Sequence, residues 1–139
     1  MKPLLLLLLL LNATLFANEA ILKLDTLGHT GMIKDILVSK DRSEIISASD
    51  DKTIRVWDTQ TGKEKRKILG SIGAGSEGMI FAIALSGDNR YLAVGGFMAQ
   101  FNGSNHIEIG NIRIYNYKTG KLLKVLQSHT NAFNDLSFS

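Results

Sequence analysis

From Met32 onward, apolar and polar positions alternate in short stretches broken by turn residues. Met32–Val38 is mostly apolar, and Lys40-Asp41-Arg42-Ser43 is a polar turn. Glu44–Ser49 alternates, Asp50-Asp51-Lys52 turns, and Thr53–Trp57 alternates Thr, Ile, Arg, Val, Trp. Thr59-Gln60-Thr61-Gly62 then turns the chain into Lys63–Leu69. Runs of about four to eight residues bounded by Gly, Asp, Ser and Asn predict strands, and their close spacing predicts antiparallel pairing. No window shows a sustained helical period with caps at both ends. Four strands within about 40–47 residues make one propeller blade.

The pattern then repeats. Gly31-Met32-Ile33, Ile36, Ser39 and Asp41 return at an offset of 47 as Gly78-Met79-Ile80, Ile83, Ser86 and Asp88. Ile54-Arg55-Val56-Trp57-Asp58 and Thr61-Gly62-Lys63 return at an offset of 58 as Ile112-Arg113-Ile114-Tyr115-Asn116 and Thr119-Gly120-Lys121. The difference places an eleven-residue insertion between Gly96 and Ile112. A third copy opens as His129-Thr130, Asp135 and Ser139, matching His29-Thr30, Asp35 and Ser39 at an offset of 100. The predicted fold class is therefore all-β: antiparallel four-stranded propeller blades, two of them complete, plus the first strand of a third, in an incomplete propeller. The predicted segments are a lone strand over 18–27, a first blade over 28–69 and a second over 70–127 with a loop insertion over 97–111. The start of a third blade follows over 128–139.

These residues resemble a known family. Gly28-His29 before the first strand and Trp57-Asp58 closing the third are similar to the signature of WD-repeat β-propellers. The stretch Ser47-Ala48-Ser49-Asp50-Asp51-Lys52-Thr53-Ile54-Arg55-Val56-Trp57-Asp58 lies close to the family's most regular form. The resemblance implies a structural hydrogen-bond chain through His29, Ser47, Asp51 and Trp57. Such a chain makes physical sense, because an unsatisfied buried polar group costs about 1–3 kcal/mol. Reading His29 and Asp51 as an acid–base pair instead requires a nucleophile and a cleft, and the sequence shows neither. In the second copy the matching positions are Ser76, Val94 and Tyr115, and the Asp51 equivalent falls in the insertion. That blade is expected to rest on apolar packing of Met79, Ile80, Ile83, Leu85, Leu92 and Val94.

The amino terminus stands apart from the repeat. Met1-Lys2 gives a positive start, eight leucines run from Leu4 to Leu11, and Asn12-Ala13-Thr14-Leu15-Phe16-Ala17 turns polar and small. A charged start, a short apolar core and a small residue at the cut describe a secretory signal peptide over 1–17. A membrane anchor needs about 18–20 apolar residues, and Asn12 interrupts the run first. The expectation is cleavage after Ala17 and a periplasmic or secreted protein with no membrane attachment afterwards. An uncleaved anchor is the alternative.

Composition narrows the chemistry. The 139 residues are 45% apolar and 21% charged, a folded domain's balance, with no cysteine. That excludes disulfides, thiolate zinc sites and cysteine nucleophiles. A formal charge of +3 does not by itself call for nucleic acid, and none is expected as a partner. Gly73-Ala74-Gly75-Ser76-Glu77-Gly78 fits G-x-G-x-x-G, yet Ser86-Gly87-Asp88-Asn89 breaks the chain before a crossover helix is long enough. It reads as a loop between blades. Lys63-Glu64-Lys65-Arg66-Lys67 reads as a charged outer edge strand, which discourages strand-to-strand aggregation. His29, His106 and His129 are far apart and offer no metal set, so no cofactor or metal is expected. Asn102-Gly103-Ser104 matches a glycosylation acceptor.

The insertion carries the one position-specific hint of binding. Phe97, Met98, Phe101 and His106 sit on a lengthened loop that the propeller topology puts on the same face as Gly70–Gly78. Exposed aromatics on long loops over a rigid scaffold mark contact surfaces. Alternatively, the same side chains fold back over the second blade. The functional expectation is a non-catalytic protein–protein interaction scaffold, exported from the cytoplasm, with a protein partner and the remaining blades in a longer chain. The alternative is a targeting or sensor module of a larger enzyme whose catalytic domain lies beyond residue 139.

Overall fold

The computed structural model describes residues 27–139 apart from 71, 72, 99, 102–106, 109 and 130. The expected leader over 1–17, nearly all of the lone strand over 18–27, His106 and Asn102-Gly103-Ser104 lie outside the described residues.

The apolar and alternating runs become strands. β1 (Ile33–Val38), β2 (Glu44–Ser49), β3 (Thr53–Asp58) and β4 (Glu64–Leu69) form one antiparallel sheet in that order. β5 (Ile80–Leu85) and β6 (Tyr91–Gly96) begin the second sheet. The insertion follows as a small hairpin of β7 (Gln100–Phe101) and β8 (Ile107–Glu108). β9 (Gly110–Asn116) and β10 (Leu122–His129) complete the second sheet, ordered β10-β9-β6-β5.

The repeat holds down to single hydrogen bonds. In the β1–β2 turn, Ser39 Oγ donates to Asp41 and accepts from the Glu44 N–H; Ser86 does the same with Asp88 and Tyr91 in the β5–β6 turn. Arg42 and Asn89 take the left-handed position at equivalent places, φ 59° and 56°. In the β3–β4 turn, Asp58 accepts from the N–H and hydroxyl of Thr61, and Asn116 accepts likewise from Thr119 in the β9–β10 turn. Both turns then close on a glycine at φ 67°, Gly62 and Gly120, a conformation that costs glycine no steric penalty. Even the irregularity recurs, since the first strand of each sheet carries a β-bulge, at Lys34 and at Phe81.

The core lies between the sheets. Ile46, Ile54, Val56 and Ile68 of the first sheet meet Ile83, Leu92, Val94 and Tyr115 of the second, all essentially excluded from water. Each fully buried aliphatic of this kind contributes about 1.5–3 kcal/mol relative to exposure. Ile80, Ile83, Leu92 and Val94 supply the apolar packing expected of the second blade. Asp35 ties the sheets at their inner ends, its Oδ2 accepting the Ile83 N–H of β5 at 2.8 Å.

The third copy differs from its expectation. β10 runs on through His129, and residues 131–139 carry no strand. A strand exists by pairing, and no described strand lies beside this segment to pair with it. The segment still packs in the repeat's order. A methyl group on Gly95 would stand 2.9 Å from Phe133 Cβ and 3.1 Å from Leu136 Cδ1, so this stretch lies on the face of the second sheet turned away from the first.

Candidate functional site

Three places bring polar side chains together, and each is built by strand ends and turns. The first is the chain expected from His29, Ser47, Asp51 and Trp57. Trp57 is placed by β3, Ser47 by the neighbouring strand β2, and Asp51 by the turn between them. An indole N–H only donates and a carboxylate only accepts, which sets the direction of the bonds. Trp57 Nε1 donates to Ser47 Oγ at 2.8 Å, the Ser47 hydroxyl meets His29 Nε2 at 2.7 Å, and His29 Nδ1 donates to Asp51 Oδ2 at 2.8 Å. The Asp51 carboxylate also accepts from the hydroxyl and N–H of Thr53 and the N–H of Thr30. The His29 and Asp51 side chains are almost wholly buried, so the group staples the entry loop onto β2 and β3. The ring partners of His29 are Ser47, Thr53 and Asp51, and the Ser47 hydroxyl that faces it is buried and also accepts from the indole.

This arrangement has a pH consequence. Burial pushes the Asp51 carboxyl up, but the hydrogen bonds from Thr53, His29 and Thr30 outweigh it and hold it below the ordinary value of 3.8. Bonds from Ser39 and Ser43 bring Asp41 down to about 2. A carboxylate with a lowered folded pKa adds stability above its unfolded value, and that stability is lost as pH falls through the folded one. The urea midpoint is therefore expected to hold from about pH 7 to 5 and to drop between about pH 4 and 2. Asp51→Asn is expected to lower the neutral plateau and to shrink the acid loss. An acid limb unchanged by Asp51→Asn would count against this assignment.

The second place joins the outer parts of the two sheets. Glu44, at the start of β2, takes an ion pair from Lys65 at 2.8 Å and another from Arg66 at 3.5 Å. It also accepts the Tyr117 hydroxyl, and the Arg66 guanidinium stacks 4.4 Å from the Tyr117 ring centroid. Burial and the adjacent Glu44 push the Tyr117 hydroxyl well above its usual range. Glu64 of β4 meanwhile pairs with the buried Arg55. The charged run Lys63–Lys67 is thus more than a solvated edge: Glu64, Lys65 and Arg66 make ion pairs within the first sheet, and Arg66 also reaches Tyr117 beside the second. No sequence signal marks Glu44 or Tyr117, since their meeting spans 73 residues.

The third place is the face carrying the long connections. Gly78 N–H donates to Phe97 O at 2.7 Å and Phe97 N–H returns to Met79 O at 2.9 Å, locking the 70–78 loop to the base of the insertion. Lys52 Nζ reaches Gly73 O from the first sheet. The expected contact residues separate here. Phe97 is half-buried, and Phe101 contributes its backbone to β7. Met98 is 0% exposed and belongs to the buried apolar cluster of the core. Met98 shares that cluster with residues of both sheets, where a flexible thioether packs readily. Asn111, also fully buried, donates to Met98 O at 3.1 Å and fixes it there. Among the described residues, no three His, Asp or Glu gather as a metal site needs, and no helix is long and apolar enough to cross a membrane.

The two four-stranded sheets, with this hydrogen-bond chain in the first, match the blades of WD-repeat β-propellers. Residues 22–58 match the model of the "WD domain, G-beta repeat" family. The chain is 32% identical over 113 residues to Autophagy-related protein 16 of Arabidopsis thaliana, covering 81% of this chain and 19% of that protein. It is 32% identical over 75 residues to the WD repeat-containing protein 89 homolog of Dictyostelium discoideum, covering 54% and 19%. Among solved structures it resembles the WD40 repeats of RRP9, with a TM-score of 0.64 and 27% identity over 80% of this chain and 30% of that one. The chain therefore spans roughly a fifth of the length of these curated relatives.

Proposed function

We propose that the protein is a non-catalytic protein-binding scaffold, exported from the cytoplasm, whose partner meets the face bearing the insertion hairpin. WD-repeat proteins generally act as scaffolds for protein interactions. The observation that carries the reading is the mounting of that hairpin. Its base is tied by the paired bonds between Gly78, Phe97 and Met79, and Met98 and Asn111 anchor it in the core. An element held on rigid strands loses little freedom when it binds, which favours recognition. Met1–Ala17 supports export. Such a leader directs a chain across a membrane whatever fold follows it.

One experiment tests both parts. A carboxy-terminally tagged chain is recovered from fractionated cells of the source, and its amino terminus and co-purifying proteins are determined by mass spectrometry. The expected result is an extracytoplasmic protein beginning at Asn18 with a reproducible partner. Replacing residues 100–108 by a short Gly-Asn turn, with Met98 and Asn111 kept, is expected to release that partner and leave thermal stability within about 1 kcal/mol of the parent. A partner retained by the shortened chain overturns the hairpin assignment. A cytoplasmic chain retaining Met1 overturns export.

A further inference from the structure

Charge is divided between the two ends of the sheets. The β1–β2, β3–β4, β5–β6 and β9–β10 turns share one end, because Glu44 pairs with Asp58 and Tyr91 with Asn116. They carry the cations Lys40, Arg42, Lys63, Arg90, Lys118 and Lys121. Their carboxylates, Asp41, Asp58 and Asp88, are engaged within the turns, each accepting hydroxyl and N–H groups a few residues away. The opposite end reverses the balance: residues 50–52, 70–79 and 97–109 hold Asp50, Asp51, Glu77 and Glu108, with Lys52 their one cation. The basic end is made of turns within each blade, so it stays open whatever stands beside the two sheets.

Between the two sets of turns lies a cleft of about 470 Å³, with Lys65 and Arg66 on one wall and Asn89 and Lys118 among the residues of the other. Two of these side chains keep buried polar atoms without a hydrogen-bond partner among the described residues: Arg66 at Nε and Nη2, and Asn89 at Oδ1. A guanidinium edge of that kind takes a carboxylate through two N–H bonds, and an amide oxygen only accepts. The cleft therefore asks for an acceptor and a donor side by side. Glu44 and Asp41 also line it, but Glu44 is taken by Lys65, Arg66 and Tyr117, and Asp41 by Ser39 and Ser43. The exposed Lys65 and Lys118 are the parts of the wall best able to move and admit a ligand.

We infer that this cleft binds an extended acidic segment of a protein partner, a side-chain carboxylate meeting Arg66 and Lys118 and a backbone N–H of the segment donating to Asn89 Oδ1. A peptide supplies both groups within one residue. The phosphodiester of a nucleic acid or a lipid satisfies the cations equally well, but it has no N–H or O–H to give Asn89. The contact lies at the end of the sheets away from the insertion hairpin and does not rest on the hairpin's role; a chain with both surfaces holds two partners at once.

Fluorescence anisotropy on the purified full chain tests this, with a fluorescein-labelled peptide of alternating glutamate and serine as the probe. Saturable binding is expected with a Kd below about 100 µM at low salt, weakened at least about tenfold near 0.5 M salt, where exposed charges are screened. The same peptide with glutamine in place of glutamate is expected not to bind. Lys118→Glu, at an exposed position, is expected to keep the parent's circular dichroism and to weaken the probe at least about tenfold through like-charge repulsion. Asn89→Gly is expected to weaken it several-fold without straining the turn, since glycine accepts φ 56°. Lys34→Glu, beside Asp50 at the other end, is expected to leave binding unchanged, as is the shortened hairpin. A parent that does not bind the probe overturns the inference. Equal losses in Lys34→Glu and Lys118→Glu overturn it too, because net charge alone then accounts for binding. So does loss of the probe with the hairpin. Displacement of the probe by a thymidine oligonucleotide or phosphatidylglycerol vesicles, at or below the negative charge at which unlabelled peptide displaces it, overturns the choice of a peptide.

Discussion

Gly96→Ala is expected to cost about 4 kcal/mol or more, the largest loss foreseen from a single methyl group in this protein. Gly96 ends β6 directly against β5. A Cβ there would stand 2.2 Å from Met79 O, 2.9 Å from Phe81 N and 3.0 Å from Ile80 Cα. All three are backbone atoms, so no side chain can rotate away, and the two strands must separate. Met79 O also accepts the Phe97 N–H that ties down the insertion, so the same methyl loosens the hairpin. Urea unfolding followed by circular dichroism measures the effect, with Gly87→Ala as the control, because nothing lies within 4 Å of a Cβ on Gly87. Equal midpoints for the two variants would show that β5 and β6 do not approach this closely. The variant is also expected to weaken whatever the hairpin binds, since it disturbs the mounting rather than the tip.

Met98→Ala is expected to cost about 2–5 kcal/mol, the range for truncating a fully buried side chain and leaving a cavity. Met98→Leu, which nearly conserves volume, is expected to cost under about 1.5 kcal/mol. The pair separates packing from contact. If Met98 acted at the surface, alanine would leave the unfolding midpoint in place and lower only partner capture. The structure gives the opposite order, since Met98 lies in the layer between the blades and Asn111 holds its carbonyl. Stability falls first, and capture falls only as far as the fold does.

The scaffold reading places function on the insertion hairpin. The polar cluster of Glu44, Lys65, Arg66 and Tyr117 lies apart from it. It holds one blade to the next, and the repeat does not copy it: the positions matching Glu44 and Lys65 are Tyr91 and Leu123.

The order of residues alone determined the local structure of this protein. Ser39 with Asp41, and Ser86 with Asp88, build their turns from bonds reaching two to five residues along the chain. Alternation over Thr53–Trp57 and the glycines at 62 and 120 set strands and reversals in the same way. His29, Ser47, Asp51 and Trp57 were legible through the resemblance to WD-repeat propellers, whose pattern they match within one blade. Tertiary structure decided what depends on the meeting of two blades. Whether Met98 pointed outward or inward was decided by its place in an apolar cluster that draws on both sheets. Glu44 with Tyr117, and Asp35 with the Ile83 N–H, meet across 73 and 48 residues. Residues 131–139 repeat a strand's sequence without forming one, because a strand needs a neighbour's hydrogen bonds and a sequence pattern cannot supply them.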